Sequence, residues 1–224
     1  MQAEDQDLID ILRLDRNKLK TVDLTEEGVR SIPTSDQLEE KIIHCLKAEK
    51  DLYLYYFLCA SIGRTIVFCN SIDCIRRLVN LFRFLKFSPL SVHSSMPQKR
   101  RLASIERFTA ATNSILFASD VASRGLDIPF VNYVVHYQCP RTAEIYIHRS
   151  GRTARINQRG LSLILCDPQE EAFFLKDFCR ILGKQQKKDL KEYQTNSLVL
   201  RKLKERIRLA QVCFVLFDFY FIYI

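Results

Sequence analysis

The segment "HRSGRTAR", residues 148–155, contains three arginines and no lysine. Arg149, Arg152 and Arg155 are three residues apart, and each such step rotates only about 60° around a helix. The rigid fork of donors on a guanidinium group matches phosphate oxygens, whereas the ammonium group of lysine does not. The three arginines are therefore candidates for binding a phosphate-bearing ligand. The alternative is a solvated basic helix end favoured by the helix dipole, which lysine would satisfy equally well.

A second segment that could bind a ligand is "ASDVASRGLDIP", which directly follows the apolar run "SILF". Ser119 and Asp120 supply a hydroxyl and a carboxylate at the end of a predicted strand. Such groups suit contacts with phosphates and sugar hydroxyls. Arg124 and Gly125 allow a close approach of the backbone, and Asp127 offers an acceptor for a ribose hydroxyl. The alternative is a helix N-cap at Ser119 or Asp120 followed by a glycine turn.

Two shorter segments are weaker signals when each is taken alone. In "QKRRLASIERF", Gln98 and Arg101 lie one turn apart on a predicted helix that follows Pro97. In "FCNS", Asn70 and Ser71 end a predicted strand with small polar side chains. A solvated helix face and an N-cap would explain these residues without any ligand.

The elements that must position these residues alternate between strand-like and helix-like runs. The strand candidates are "KIIHCL", "RTIVFCN", "PLSVHS", "SILFAS", "VNYVVHY" and "LSLILC". Helix-length segments separate them, and several strands are almost continuously apolar, as in sheets covered by helices on both faces. This rhythm predicts an α/β fold with a parallel sheet and right-handed crossovers. Ligands of such sheets bind at the carboxyl ends of the strands, where the polar segments described above begin.

The net charge of +8 is unevenly distributed along the 224 residues. Residues 1–40 contain 5 Lys and Arg against 11 Asp and Glu, whereas residues 41–183 contain 20 against 11. Residues 184–208 are more densely basic, with 9 against 3. A basic body with a basic extension indicates a polyanionic partner, most often a nucleic acid. The eight cysteines form no CxxC pair, which favours reduced thiols in an intracellular protein over a disulfide framework or a metal site.

Composition divides the chain into four parts. We expect residues 1–40 to be an acidic leading segment or interdomain linker, and residues 41–184 to be the main domain. Residues 185–210 are a basic extension that ends in a predicted helix. Residues 211–224 form an apolar tail too short for a membrane span of about 20 residues. Either a partner buries this tail, or the chain ends on an aberrant sequence such as a truncation or a misread exon.

Together, in this order and spacing, the four polar segments resemble the second, C-terminal RecA-like domain of DEAD-box RNA helicases. "IVFCNS" is similar to motif IV, "QKRR" to the Q-x-x-R element, "ASDVASRGLDIP" to motif V and "HRSGRTAR" to motif VI. The resemblance covers roughly residues 22–184, and motifs V and VI are its most specific parts. The later segment "KERIRLA" is similar to the nucleolar subgroup associated with large ribosomal subunit assembly, which implies a nuclear and nucleolar location.

This resemblance implies a role for each motif residue. Arg152 and Arg155 would meet the γ-phosphate of ATP with Mg²⁺ across an interdomain cleft, and Asp127 with Gly125 would contact the nucleotide. His148 and Arg149 would couple the nucleotide and RNA sites. The RNA backbone would be contacted without sequence preference by the following residues: Asn70, Ser71, Gln98, Arg101, Ser119, Asp120, Arg124 and Gly125.

Three positions depart from the family pattern. Ser119 stands where threonine is usual, which keeps a hydroxyl. Ala154 replaces the usual glycine, which matters only if the backbone there has a positive φ angle. Gln138 replaces the usual aspartate of a Tyr-Asp-x-Pro element, which puts its polar contact in doubt.

The sequence contains no G-x-x-x-x-G-K-[ST] phosphate loop and no Asp-Glu-Ala-Asp segment to hold Mg²⁺. One hypothesis is therefore the C-terminal lobe of an ATP-dependent RNA helicase, which needs an N-terminal lobe for ATP hydrolysis. The other is a non-enzymatic RNA-binding or protein-docking module. A doubly wound sugar or nucleotide enzyme is disfavoured because no glycine-rich fingerprint is present.

Overall fold

The computed structural model describes residues 37–120, 131–154, 159–172 and 190–222. The strands are β1 Leu38–His44, β2 Arg64–Phe68, β3 Leu90–Val92, β4 Ser114–Ala118, β5 Tyr133–His136, β6 Gly160–Cys166 and β7 Lys191–Glu192. The helices are α1 Lys50–Ala60, α2 Ile72–Phe84, α3 Gln98–Ala110, α4 Ala143–Ser150 and α5 Ser197–Ile222, and a 3-10 turn, Lys47–Glu49, precedes α1.

These strands form one parallel sheet in the order β3-β4-β2-β5-β6-β1-β7. The α/β fold with a parallel sheet is confirmed, and each of the six predicted strand segments contains a strand. The sequence analysis missed β7, since two polar residues in a basic segment carry no alternating pattern. A further helix-length segment, residues 168–184, follows β6; its backbone is helical at 168–172, and the rest lies outside the described residues.

Alternating side chains of the central strands serve two apolar layers. Val67 of β2 points into a core shared with α1 and α2, whereas its neighbours Ile66 and Phe68 point into a core closed by α3. On the α3 side, a further cluster is formed where Tyr146 of α4 packs near Ile164 of β6. Because side chains alternate across a strand and both faces are buried, the strands must be apolar at nearly every position. This explains the continuous apolar runs in the sequence.

The basic extension packs against the same sheet. β7 pairs with β1 at one edge, and α5 places Ile207 and Ala210 in the core formed with α1 and α2. The helix continues through the apolar tail as far as Ile222. β1 begins at Leu38, so the sheet also includes the last residues of the expected leading segment. Within the described residues, no helix is both long and apolar enough to cross a membrane.

Candidate functional site

The motif residues meet at the carboxyl ends of β4, β2 and β5, which are neighbours in the sheet. Arg149 of α4 reaches this edge and binds all three strand exits. Its Nε and Nη2 donate to the two carboxylate oxygens of Asp120, at 2.6 and 2.8 Å. Nη2 also donates to Asn70 Oδ1 at 2.6 Å, and Nη1 donates to the Gln138 carbonyl at 3.0 Å. The guanidinium group thus joins segments from motifs IV, V and VI.

This group, here called the Arg149 network (Arg149, Asp120, Asn70 and Gln138), is closed to solvent on the arginine side. The Arg149 side chain is 1% exposed, while that of Asp120 is 22% exposed. The guanidinium carbon lies 5.3 Å from the centre of the Phe68 ring, an arrangement that favours a cation. Arg149 is therefore a buried residue that holds three strand ends together. The coupling role that the resemblance implies for it stays a prediction.

Asn70 and Gln138 are bound to each other as well as to Arg149. The Asn70 N–H donates to Gln138 Oε1 at 2.8 Å. Asn70 Nδ2 donates to the Cys139 carbonyl at 3.0 Å. The glutamine that replaces the family's aspartate thus has a defined contact, which holds the exit of β2 against the exit of β5. The Asn70 side chain uses both of its polar atoms within the protein.

Helix α4 gives the other motif VI residues different environments. Its N-cap is Thr142, whose hydroxyl accepts a hydrogen bond from the Ile145 N–H at 3.3 Å. His148 is exposed, and Arg152 follows the helix with a half-buried side chain. The Arg152 carbonyl accepts from the Val131 N–H at 3.3 Å, just before β5. The helix end therefore holds Arg149 inward and keeps Arg152 at the surface.

The remaining predicted site residues are distributed as follows. Ser71 is the N-cap of α2, and its hydroxyl accepts from the Cys74 N–H at 3.2 Å, so the capping interpretation is confirmed for it. Gln98 is exposed at the first position of α3, and Arg101 lies one turn further on. Four predicted site residues lie outside the described residues: Arg124, Gly125, Asp127 and Arg155.

The Ser119 hydroxyl is buried and has no hydrogen-bond partner in the described part of the chain. Buried polar atoms are normally paired, and an orphaned one marks strain or a ligand contact. Ser119 directly precedes Asp120 of the Arg149 network. Its hydroxyl is therefore available to a ligand that enters at this edge.

A neutral histidine lies beneath the network. His136 Nε2 is 3.0 Å from Ser162 Oγ and 3.3 Å from Ser150 Oγ, and the ring stacks on Tyr146 with 4.9 Å between centroids. Burial lowers the pKa of His136 well below its ordinary value, and the positive charge of Arg149 acts in the same direction. The imidazole therefore stays neutral at physiological pH and adds no positive charge beside the buried guanidinium.

The sequence analysis missed a buried lysine that joins β5 to β6. Lys50 Nζ donates to the carbonyls of Tyr137 at 3.1 Å and Leu165 at 2.8 Å, and to the carboxylate of Glu170. Its partners are 87 to 120 residues away in the sequence, so no local pattern predicts them. The only local signal is a charged pair that opens an otherwise apolar helix.

The sequence analysis also missed an ion pair that anchors α5. Arg77 donates to both carboxylate oxygens of Asp51, at 2.7 and 2.9 Å. Tyr137 and Gln211 donate to the same carboxylate at 2.8 and 2.9 Å. Burial by itself would raise the pKa of Asp51, but the hydrogen bonds and charge of Arg77 outweigh it and hold the pKa below its usual value. Gln211 of α5 is thereby attached to Asp51 of α1.

Ala154, which stands where the family usually has glycine, has a backbone conformation that favours glycine. Ala154 has a φ angle of 54°, in the left-handed region where a non-glycine residue costs roughly 1–2 kcal/mol. The neighbouring Gly160 is required, because a Cβ there would lie 2.0 Å from Thr153 Oγ1 and 2.6 Å from the Ala154 nitrogen. Gly160 thus packs closely against Thr153 and Ala154. Ala154 carries backbone strain that glycine would not.

We expect Ala154→Gly to leave the free energy of unfolding unchanged or to raise it by up to about 1 kcal/mol, since relief of strain outweighs the greater entropy of unfolded glycine. The matched control is Ala103→Gly on the exposed face of α3, which should lower the same quantity by about 1 kcal/mol. Urea unfolding measures both. Equal losses for the two variants would contradict the assignment of strain to Ala154.

Comparison with known proteins extends these observations. A family model described as helicase conserved C-terminal domain matches residues 47–157. The chain is 48% identical over 196 residues to ATP-dependent RNA helicase DDX24 from Mus musculus, a match that covers 88% of this chain and 22% of that protein. It is 43% identical over 198 residues to ATP-dependent RNA helicase MAK5 from Candida albicans, covering 85% and 25% respectively. The chain thus spans only 22–25% of the length of these two curated relatives.

Among solved structures, the fold is similar to that of the Escherichia coli DEAD-box protein SrmB, determined in complex with regulator of ribonuclease activity A. The TM-score is 0.61 at 27% sequence identity, and the match covers 74% of this chain and 94% of that one. The parallel sheet described above thus has the RecA-like fold of DEAD-box C-terminal domains, as a single lobe.

Proposed function

Because the chain belongs to the helicase conserved C-terminal domain family, in its DEAD-box RNA helicase branch, we propose that it acts as the C-terminal half of an ATP-dependent RNA helicase. In this role it supplies arginine side chains to ATP and backbone contacts to RNA. It requires an N-terminal RecA-like lobe for ATP hydrolysis. The relatives' names support an RNA substrate, and the basic charge of the domain supports a polyanionic ligand.

The observation that carries this proposal is the Arg149 network. A single buried guanidinium of the motif VI segment joins the exits of three adjacent strands, and two of those exits, at Asn70 and Asp120, lie in the motif IV and motif V segments that would contact RNA. A shift of α4 would therefore move Asn70 and Asp120 with it. This gives the chain a physical link between a nucleotide-facing helix end and an RNA-facing strand edge.

RNA contact is assigned to the polar residues around this edge. Ser119 offers a buried hydroxyl without a partner in the described residues, and Gln98 is exposed at the start of α3. Arg101 and Ser71 complete the described part of this surface, and Arg124 with Gly125 would extend it. Hydroxyl, amide and guanidinium groups suit phosphate and 2′-hydroxyl contacts, which carry little sequence information.

ATP contact is assigned to Arg152 and Arg155, which would meet the γ-phosphate, and to Asp127 and Gly125 near the nucleoside. The guanidinium of Arg152 fits this role because it is half-exposed at a helix end and always charged. Bound Mg²⁺ would neutralise charge on the phosphates. Within the described residues, no group of three or more His, Cys, Asp or Glu side chains is placed to hold a metal ion.

The resemblance of "KERIRLA" to the nucleolar subgroup further supports a role in the nucleolus, in assembly of the large ribosomal subunit. A second function, a non-enzymatic RNA-binding or docking module, is favoured by one observation: these 224 residues contain no phosphate loop. Both proposals include RNA binding, and they differ in whether the chain takes part in ATP hydrolysis.

The test combines RNA binding with complementation. The isolated 224-residue chain should bind single-stranded RNA with an affinity that falls steeply with salt, and it should not hydrolyse ATP. Arg101→Ala should weaken binding of all sequences alike and reduce the salt slope by about 1. Fusion to the N-terminal lobe of a DEAD-box helicase should then produce RNA-stimulated ATP hydrolysis. Turnover by the isolated chain would overturn the requirement for a second lobe, and salt-independent RNA binding would overturn the backbone interface.

A further inference from the structure

A groove of about 500 Å³ lies along the β3 edge of the sheet, between α2 and α3. Arg83 of α2 lines one side, while Arg100 and Arg107 of α3 line the other. The floor includes the apolar side chains of Leu90 and Met96. No Asp or Glu lines the groove, and in the described part of the chain the three arginines form no ion pair. The groove, here called the β3 groove, is therefore suited to an anionic ligand.

The β3 groove lies on a different side of α3 from the proposed RNA surface. At 100° per residue, Arg100 and Arg107 lie within about 20° of each other around the helix axis. Gln98 and Arg101 lie about 60° apart, and their mean direction around the helix is about 140° from that of the two groove arginines. Helix α3 thus carries two separate functional faces, and the RNA proposed to lie along one of them does not occupy the other.

The open edge of β3 offers hydrogen-bonding groups to an incoming strand. Among the described strands, β3 is the last of the sheet and pairs with β4 alone. The Val92 carbonyl accepts from Ser119 on the β4 side, at 3.2 Å. Because neighbouring residues of a strand direct their backbone groups to opposite sides, the N–H and carbonyl of Ser91 face the groove. An exposed edge of this kind is a template for strand addition.

The groove favours a peptide over single-stranded nucleic acid. Binding of unpaired bases uses free aromatic faces for stacking. Phe87, the aromatic residue of the groove, packs its ring against Tyr55 and Phe82, with 5.9 and 5.6 Å between centroids. An extended peptide can instead pair with the strand edge and place acidic side chains beside the arginines of both walls.

We propose that the β3 groove docks an extended acidic segment of a partner protein, which adds as a strand to β3 and pairs its carboxylates with Arg83, Arg100 and Arg107. The alternation of side chains along the added strand would direct adjacent acidic residues to opposite faces of the sheet, one towards Arg83 of α2 and the next towards Arg100 or Arg107 of α3. The surface is independent of the ATP and RNA contacts proposed above.

The test uses a fluorescein-labelled ten-residue peptide in which pairs of glutamates alternate with pairs of valines, so that glutamates reach both walls. Binding to the full chain is followed by fluorescence anisotropy. Arg83→Glu combined with Arg107→Glu should weaken binding by at least about tenfold. The neutral double variant Arg83→Gln with Arg107→Gln should give a smaller loss of affinity. It replaces the charge-reversed variant in the test if charge reversal near two helix ends destabilises the fold. Arg201→Glu with Lys204→Glu on the exposed face of α5 makes the same change in net charge and should alter binding less than about twofold.

Three outcomes would overturn the proposal. Equal losses for the groove and α5 variants would mean that net charge alone attracts the peptide. Unchanged affinity of a peptide with N-methylated backbone amides would rule out strand addition. If a ten-nucleotide oligouridylate loses affinity as strongly as the peptide in the groove variants, the groove is a nucleic-acid surface. Loss confined to the peptide and to the groove variants supports the proposal.

Discussion

Replacing Asp120 with alanine is expected to lower the free energy of unfolding by about 3–5 kcal/mol, because it leaves the guanidinium of Arg149 buried without its anion. The Arg149 side chain is 1% exposed and cannot recover the lost interaction from water. Arg149→Ala should cost less, at the lower end of this range, since Asp120 is 22% exposed and can be hydrated in its place. Urea unfolding followed by circular dichroism measures both losses.

Two comparisons separate this effect from ordinary surface substitution. Arg159→Ala removes an exposed arginine at the amino end of β6 and should change stability by less than about 0.5 kcal/mol. The double variant Asp120→Ala with Arg149→Ala should be less destabilised than the sum of the single variants, because neither charge then remains unpaired. If Asp120→Ala costs no more than Arg159→Ala, the Arg149 network does not stabilise this edge of the sheet.

Replacing Arg152 with alanine in a protein fused to an N-terminal lobe is expected to lower the rate of ATP hydrolysis by about 10³–10⁵-fold, the range found for arginine fingers. The backbone contacts of Arg152 with Arg149 and Val131 do not involve its side chain and should persist. RNA affinity measured without nucleotide should change little. Arg152→Lys should recover only part of the activity, since lysine keeps the charge but lacks the planar fork.

The matched control for Arg152 is Arg141→Ala, an exposed arginine just before α4 that is assigned no contact with ATP or RNA. It should leave ATP hydrolysis within about twofold of the parent, as expected for a surface substitution. An Arg152→Ala protein that hydrolyses ATP as fast as this control would show that Arg152 does not contact the transferring phosphate. The same result would leave the RNA surface intact, because that surface rests on other residues.

The polar segments were recognisable in the sequence because each is a local pattern of residue types. "HRSGRTAR" shows its arginines within eight residues, and "SILFAS" shows a buried strand that ends in a hydroxyl. Helical spacing alone does not separate Arg149 from Arg152, although the resemblance to the family assigned them different roles. In the structure the first is buried and the second lies at the surface. That difference depends on which side of α4 faces the sheet.

Two further features could not be predicted from local patterns, because they depend on contacts between residues far apart in the sequence. The role of Lys50 depends on carbonyls that lie 87 and 115 residues away, and the anchoring of α5 depends on a contact between Gln211 and Asp51, 160 residues apart. The conformation of the apolar tail was not predicted, because a short apolar run does not distinguish a strand from a helix until its neighbours are known. The structure continues α5 through it.

The sequence by itself determined the class of fold, the positions of six of the seven described strands and the four polar segments proposed to bind ligands. These follow from hydrophobic periodicity and residue type, which are properties of short stretches of chain. Only the tertiary structure decided which polar groups bind one another. The strand order β4-β2-β5 brings Asn70, Asp120 and Gln138 within hydrogen-bonding distance of Arg149, although Asn70 and Arg149 are 79 residues apart. Burial then removes water as a competing partner, so that a basic residue of the motif becomes the link between three strands.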